Sequence, residues 1–233
     1  MDWTQAIDSY CERTDASYWS EPLNAVSNVS FIVAALVTWR MARTASDKSA
    51  QVLALGAGGI GVGSYLFHTH ATRWAMHADV WPIRIFVVLF LGVAVVRFFG
   101  TPRWVGIAAA AGFVVATAAT IELSRSVGTT FNGSVGYAPV PVAMVLMAAL
   151  VARRDRRTAV NLVAIAATFV ASLALRTVDR ELCAGVPFGT HFGWHLLNGV
   201  VSGLMIVVFI GRGQGGAGTH TRNEGRELAE QLG

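Results

Sequence analysis

Charged residues are scarce in this chain. Asp, Glu, Lys and Arg make up only 14% of its 233 residues, whereas a soluble globular domain usually carries about 25%. Hydrophobic residues account for 54%. This shortage of charge excludes a water-soluble domain of ordinary composition and indicates a chain embedded in lipid.

The apolar residues form seven long runs, each close to the roughly 20 residues that a membrane-spanning helix needs. The predicted spans are 22–42, 51–69, 80–99, 103–121, 135–152, 158–176 and 191–211. We therefore expect an all-α membrane protein, a seven-transmembrane helix bundle formed by residues 1–211. Residues 212–233 are rich in glycine and polar groups and are predicted to form a flexible tail.

Lysine is nearly absent, which excludes one class of seven-span protein. Lys48 is the only lysine, and it lies between the first two predicted spans. A retinal protein requires a lysine within a span to form its Schiff base. A light-driven pump is therefore excluded.

Basic and acidic residues fall on opposite sides of the predicted spans. The basic residues that follow spans one, three, five and seven are Arg40, Arg43, Lys48, Arg97, Arg103, Arg153, Arg154, Arg156, Arg157 and Arg212. The N-terminal segment 1–21 carries Asp2, Asp8, Glu12, Asp15 and Glu21. By the positive-inside rule this segment is extracellular and the C-terminus is cytoplasmic. The net charge of +4 thus reflects topology and gives no case for nucleic acid.

The two cysteines, Cys11 and Cys183, both fall on the predicted outer side. An outside compartment permits disulfides. We predict a Cys11–Cys183 bridge, with two free thiols as the alternative.

Three histidines lie at similar predicted depth near the outer leaflet. His68 ends the second span, and His191 and His195 begin the seventh. Histidines four residues apart share one helix face, and ionisable groups inside a membrane are costly and usually functional. Three imidazoles with an open fourth position are typical of a catalytic zinc site. His70 and His77 are competing candidates for the third ligand, although His70 points to another face than His68.

Asp79 and Ser64 lie at the same predicted depth as the histidines. Asp79 is suited to accept a proton from water and pass it to a leaving amine. Ser64, one turn from His68, is suited to hydrogen-bond an oxyanion or to orient Asp79. The alternative for Asp79 is an N-cap of the third span.

Acidic residues near the first span allow two interpretations. Glu21 lies where a carboxylate interacts favourably with a helix N-terminus. Several acids in one segment also offer the oxygen ligands that calcium prefers. Arg84, in the third span, is expected either to turn outward or to pair with Asp79 or Glu122.

The ordered set of these motifs resembles the alkaline ceramidase family, within the wider group of seven-span membrane hydrolases that includes the adiponectin receptors. The matching runs are Tyr10-Cys11-Glu12, Glu21-Pro-Leu-Asn24-Ala-Val-Ser27-Asn28, Gly63-Ser64, Phe67-His68, Asp79-Val-Trp-Pro82 and His191-Phe-Gly-Trp194-His195. The middle spans carry little signature.

The resemblance implies a zinc-dependent amidase that cleaves ceramide-like lipids to a fatty acid and a sphingoid-type base. It implies zinc on His68, His191 and His195, and water activation by Asp79 with support from Ser64. It also implies the Cys11–Cys183 disulfide and a calcium site, for which Glu12 and Glu21 are the candidates.

One segment departs from the family pattern. The family's calcium segment is an Asp-Trp-Cys-Glu-Glu-Asn type of run, whereas this chain reads Ser9-Tyr-Cys-Glu-Arg13-Thr. The first aspartate is missing, and Arg13 adds a positive charge.

The leading hypothesis is a zinc-dependent intramembrane lipid hydrolase. The alternatives are a seven-transmembrane metal-binding receptor-like protein without hydrolase activity, and a transporter with a histidine proton relay, which no inverted repeat supports. A composition rich in Ala and Arg and poor in Lys suggests a bacterial inner membrane, where the native lipid need not be ceramide itself. No protein partner is predicted.

Overall fold

The computed structural model describes the backbone of residues 2–129 and 131–231, and side chains as far as residue 213. The α-helices are α1 Pro22–Ser27, α2 Val29–Thr44, α3 Lys48–His70, α4 Arg73–Phe99, α5 Arg103–Ser126, α6 Pro139–Val151, α7 Arg156–Val178 and α8 His191–Gln231. Short 3₁₀ segments cover Phe131–Tyr137 and Arg180–Leu182. The side chains of the predicted tail lie almost wholly outside the described residues, so that tail stays a prediction.

Seven segments of the described chain are long and apolar enough to cross a membrane. They are Pro22–Thr44, Lys48–His70, Arg73–Phe99, Arg103–Ser126, Phe131–Val151, Arg156–Val178 and His191–Gly213. The protein is therefore a multi-pass, all-helical membrane protein, as the sequence predicts. Which end of the bundle faces outward stays a prediction.

The connections α2–α3, α3–α4, α4–α5 and α6–α7 are short, and several helix ends carry defined caps. Asp47 caps α3 by accepting from the Ala50 amide at 3.1 Å, and Asp155 caps α7 by accepting from the Thr158 amide at 3.0 Å. Gly100 ends α4 in the left-handed conformation, at φ 66°. Such short links between long helices make sequential neighbours antiparallel.

The third span begins earlier than the sequence predicts. Helix α4 starts at Arg73, so Asp79 lies inside the helix and is not its N-cap, which Thr72 occupies. The polar start of α4 is helical because the N-terminal segment covers it. The Arg73 and Trp74 amides donate to the carbonyl oxygens of Gln5 and Trp3 at 3.0 and 3.1 Å. These bonds satisfy amides that a helix start otherwise leaves without partners.

Helices α3 and α4 approach each other closely at Gly63. A Cβ atom on Gly63 would collide with the carbonyl oxygen of Ala78, and it would lie 3.3 Å from the Asp79 amide. The missing side chain therefore lets the backbone of α3 contact α4 next to Asp79. This contact sets the distance between Ser64 and Asp79, the residues that follow each contact point.

Candidate metal centre

Three histidines from α3 and α8 meet inside one end of the bundle. His68, His191 and His195 are each no more than 1% exposed. Their ring centroids are 4.5 to 5.2 Å apart, and one ligand atom from each lies within 4.8 Å of the others. The structure thus brings together the three ligands expected from the sequence. Within the described part of the chain, these three side chains are the group that could hold a metal ion.

Glu21 orients His68. The Glu21 carboxylate accepts a hydrogen bond from Nδ1 of His68, with the two atoms 2.6 Å apart. The proton of a neutral His68 is therefore on Nδ1, and its Nε2 carries a lone pair. That Nε2 is buried and has no hydrogen-bond partner. A carboxylate behind a histidine is the usual arrangement around a metal-binding imidazole.

Ser27 orients His195. The Ser27 hydroxyl donates its single proton to the Asn24 carbonyl oxygen at 2.9 Å, so it accepts at its 2.8 Å contact with Nδ1 of His195. The proton of His195 is therefore on Nδ1, and the lone pair is on Nε2. Ser64 Oγ lies 3.4 Å from this Nε2. The sequence identified Ser27 only as part of a motif and predicted no role for it.

His191 is held by Tyr10 and by the start of α8. The Tyr10 ring stacks on the His191 ring at a centroid distance of 3.6 Å and an angle of 12°. Asp179 Oδ1 accepts from the His191 and Thr190 amides at 2.9 and 2.7 Å. Nδ1 of His191 is buried without a partner. Asp179 was missed from the sequence, because its partners lie more than ten residues away along the chain.

A disulfide joins Cys11 to Cys183, the pair predicted from the sequence, with Cα atoms 5.3 Å apart. Beside it, the Cys11 amide donates to Oδ2 of Asp179 at 2.9 Å. Gly189, in the left-handed conformation, leaves space for this carboxylate, which a Cβ atom there would strike. The N-terminal segment is thereby fastened over the histidines.

Asp79 and Ser64 lie beside the histidines. Ser64 is 2% exposed, and Oδ1 of Asp79 is buried without a hydrogen-bond partner. Ser64 Oγ lies 3.4 Å from Nε2 of His195, and the Asp79 amide lies at the contact between Gly63 and α4. The close contact at Gly63 explains this proximity. The site therefore brings three imidazoles that could hold a metal ion together with a hydroxyl and a carboxyl group.

His70 and His77 are outside the cluster. His70 is exposed and packs against Tyr18 and Trp74, with ring centroids 5.4 and 5.2 Å away. His77 lies within α4, which begins before the predicted span 80–99, and its ring centroid is 5.4 Å from that of Trp3. Both serve packing.

The expected calcium ligands have other partners. Glu12 accepts from the amides of Leu23 and Asn24 at 2.6 and 2.8 Å, which caps the start of α1. Burial raises the pKa of Glu12 despite these bonds. Glu21 accepts from Arg13, from Asn24 and from His68. All four carboxylate oxygens of Glu12 and Glu21 therefore have protein donors. This arrangement does not fit a calcium ion on these two residues. Calcium binding by the protein stays a prediction from the family resemblance.

A cavity of about 670 Å³ opens beside the site, between α4, α5 and the fifth span. Its walls are mainly apolar, and Ile83 contributes one turn below Asp79 on α4. Tyr137 and Arg176 also line it. Arg176, which was not among the residues predicted from the sequence, donates to the Tyr10 hydroxyl, and the Tyr10 ring stacks on that of His191.

A family model described as Ceramidase matches residues 4–221 of this chain. The chain belongs to the ceramidase family. Comparison with curated proteins finds no similar sequence. Membership of the ceramidase family implies a membrane-embedded amide hydrolase that acts on lipid.

Proposed function

We propose that this ceramidase family member is a zinc-dependent intramembrane hydrolase. It cleaves the amide bond of ceramide-like N-acyl lipids to a fatty acid and a sphingoid-type base. The observation that carries the proposal is the set of three buried imidazoles, two of which are turned by Glu21 and Ser27 so that unprotonated nitrogens face one point.

The donor set fits zinc. Nε2 of His68 and Nδ1 of His191 are buried polar atoms without a partner, which is costly unless something binds them. Three neutral imidazoles with no fourth protein ligand in the cluster match a zinc site with an open position. Zinc held there would supply Lewis-acid polarisation and lower the pKa of water.

Asp79 is proposed as the general base and acid. Its unpartnered Oδ1 would accept a proton from the attacking water as the water oxygen bonds to the amide carbonyl carbon. The same atom would return that proton to the amide nitrogen as the carbon–nitrogen bond breaks. Ser64 would donate a hydrogen bond from its hydroxyl to the carbonyl oxygen while negative charge develops there.

The acyl chain is proposed to lie in the cavity between α4 and α5. Its apolar walls suit a long hydrocarbon chain, and Ile83 places it directly below Asp79. The distribution of basic residues supports an N-terminal segment outside and a C-terminus in the cytoplasm.

The test uses purified protein, a panel of N-acyl lipids and the release of free fatty acid with and without a zinc chelator. We expect about one zinc per chain, retained by a His70→Ala control and lost when His191 and His195 are both alanine. Asp79→Asn should keep zinc and lose hydrolysis, whereas the exposed control Asp8→Asn should keep both.

Two outcomes would contradict the proposal. Hydrolysis that survives complete zinc removal would exclude the metal. Bound zinc without cleavage of any lipid in the panel would favour the metal-binding receptor-like alternative.

A further inference from the structure

Arg13 is a buried cation in the segment where the family resemblance implies calcium. Its side chain is 6% exposed. Nε donates to the Glu21 carboxylate, Nη1 to the Asp15 carbonyl oxygen at 3.1 Å, and Nη2 to the His68 carbonyl oxygen at 3.2 Å. One positive group therefore gathers a carboxylate and two carbonyl oxygens, the kinds of ligand that calcium takes.

We propose that Arg13 takes the place of a calcium ion in this protein. It neutralises Glu21 and ties the N-terminal segment to the end of α3. Glu12, the other expected calcium ligand, meets the amides of Leu23 and Asn24 instead. The site is therefore built without a divalent cation, and the folded protein does not depend on calcium.

The arginine also acts on the histidine cluster. Glu21 bridges Arg13 and His68, so the guanidinium holds the carboxylate that orients His68. A planar guanidinium fixes its partners' directions more strictly than a lysine ammonium does. Arg13 is thus a positioning residue, separated from the metal ligands by one carboxylate.

The test measures calcium binding and heat stability, so it is independent of any hydrolysis. Wild-type protein should bind no radioactive calcium at equilibrium and should unfold at the same temperature in excess calcium and in a calcium chelator. Arg13→Ser frees Glu21, so it should unfold earlier in chelator and be restored in part by calcium. Arg180→Ser is the matched control, because Arg180 also contacts the N-terminal segment, where it donates to the backbone carbonyl oxygen of Asp8 and to no carboxylate among the described side chains.

Stoichiometric calcium binding by the wild type would overturn the proposal, even if Arg13→Ser failed to fold. A folded Arg13→Ser protein that ignores calcium would also count against it. Arg13→Lys should keep calcium independence with a smaller loss of stability.

A separate observation concerns the cavity between α4, α5 and the fifth span, which contains basic residues and no acidic ones. Arg84, Arg125 and Arg176 line it, and no Asp or Glu does. Arg125 pairs with the exposed Glu122 at 3.3 Å. Arg84 and Arg176 form no ion pair with any carboxylate among the described side chains.

Two buried donor groups in the cavity wall have no partner. They are Nε of Arg176 and the Thr117 hydroxyl. Arg176 is otherwise fixed, with its guanidinium carbon 5.5 to 5.6 Å from the ring centroids of Tyr10, Tyr137 and Trp194. Arg84 is exposed, with its guanidinium carbon 5.5 Å from the ring centroid of Trp81.

From this charge distribution we infer that the cavity binds an anionic N-acyl lipid in preference to neutral ceramide. The negatively charged group would pair with Arg84 and Arg176 while the acyl chain fills the apolar part. This inference rests on the proposed function and specifies the substrate class of the same site.

The test compares two amides with the same acyl chain, N-palmitoylglycine, which is anionic, and N-palmitoylethanolamine, which is neutral. Binding of the radiolabelled lipids is measured in neutral detergent on Asp79→Asn protein, so that neither is cleaved. The anionic lipid should bind about ten-fold more tightly, since hydrogen bonds between charged groups are lost with the neutral one. Arg84→Gln or Arg176→Gln should remove most of this preference, and the distant control Arg103→Gln should not.

Equal binding of the two amides would overturn the inference while leaving the proposed hydrolysis standing. Preferred anion binding without cleavage of any amide by the wild type would do the reverse. If free palmitate alone binds in an arginine-dependent way, the cavity does not select the head group, and the inference fails.

Discussion

Ser27→Ala provides a sharp test of how the metal centre is oriented. Ser27 accepts from Nδ1 of His195 at 2.8 Å, and this bond directs the lone pair of Nε2 into the site. Ser30, three residues later, donates to the backbone carbonyl oxygen of the same histidine at 2.9 Å. The two serines contact the same residue, but only Ser27 contacts its ring.

Ser27→Ala loses two hydrogen bonds, the one that Ser27 donates to the Asn24 carbonyl oxygen and the one that it accepts from His195, whereas Ser30→Ala loses one. A neutral hydrogen bond stabilises a fold by about 0.5–1.5 kcal/mol, so Ser27→Ala should lose more stability than Ser30→Ala. Only Ser27→Ala frees the imidazole to rotate or to change tautomer. Loss of such a supporting bond typically weakens metal binding about 10- to 100-fold, which corresponds to roughly 1.4–2.8 kcal/mol.

The assay is zinc competition against a fluorescent chelator in neutral detergent, with thermal unfolding of the same samples. We expect the zinc Kd of Ser27→Ala to rise at least ten-fold, and that of Ser30→Ala to stay within about two-fold of wild type. Equal zinc affinities for the two variants would refute the reasoning that the Ser27 hydroxyl directs His195.

Three further predictions use other parts of the fold. Gly63→Ala should separate α3 from α4 and abolish hydrolysis. The control Gly59→Ala, whose Cβ atom would meet nothing within 4 Å, should retain hydrolysis. Equal activities of the two variants would refute the importance of the contact between Gly63 and α4. Cys11→Ser should lower the free energy of unfolding by about 2–5 kcal/mol, which thermal unfolding would measure. It should also raise the zinc Kd in the competition assay, because the disulfide holds Tyr10 against His191. Hydrogen bonds from the Thr158 hydroxyl and amide lower the pKa of Asp155. The cap therefore stabilises α7 fully above the ordinary aspartate pKa, and this stabilisation is lost as the pH falls through the lowered value. Asp155→Ala should lower the free energy of unfolding by about 1 kcal/mol at neutral pH, and unfolding measured over a pH series should show a smaller loss of stability in acid than for the wild type.

Most of the fold follows from local properties of the sequence. Seven apolar runs and the capping residues Asp47 and Asp155 act within a few residues, so the spans and most of their ends can be predicted. The start of α4 could not, because its polar first turns are covered by Trp3 and Gln5 from more than sixty residues earlier. Apolar periodicity carries no record of such a distant partner.

The candidate site divides in the same way. Residue types and spacing were enough to propose His68, His191 and His195 as metal ligands and Asp79 and Ser64 as their neighbours, because depth in a membrane follows from position along a span. The roles of Ser27, Asp179 and Arg13 depend on which atoms meet across helices. A hydroxyl, a carboxylate and a guanidinium each have several ordinary uses, and only tertiary contacts select among them.

The sequence by itself therefore determined a seven-helix membrane protein and the residues able to bind a metal ion. Only the tertiary structure decided how each imidazole is turned and that the Glu12 and Glu21 oxygens already have donors. The physical reason is the separation along the chain of the groups that interact. Burial in lipid acts on each segment separately, whereas hydrogen-bond direction depends on atoms placed within about 3 Å by remote parts of the chain.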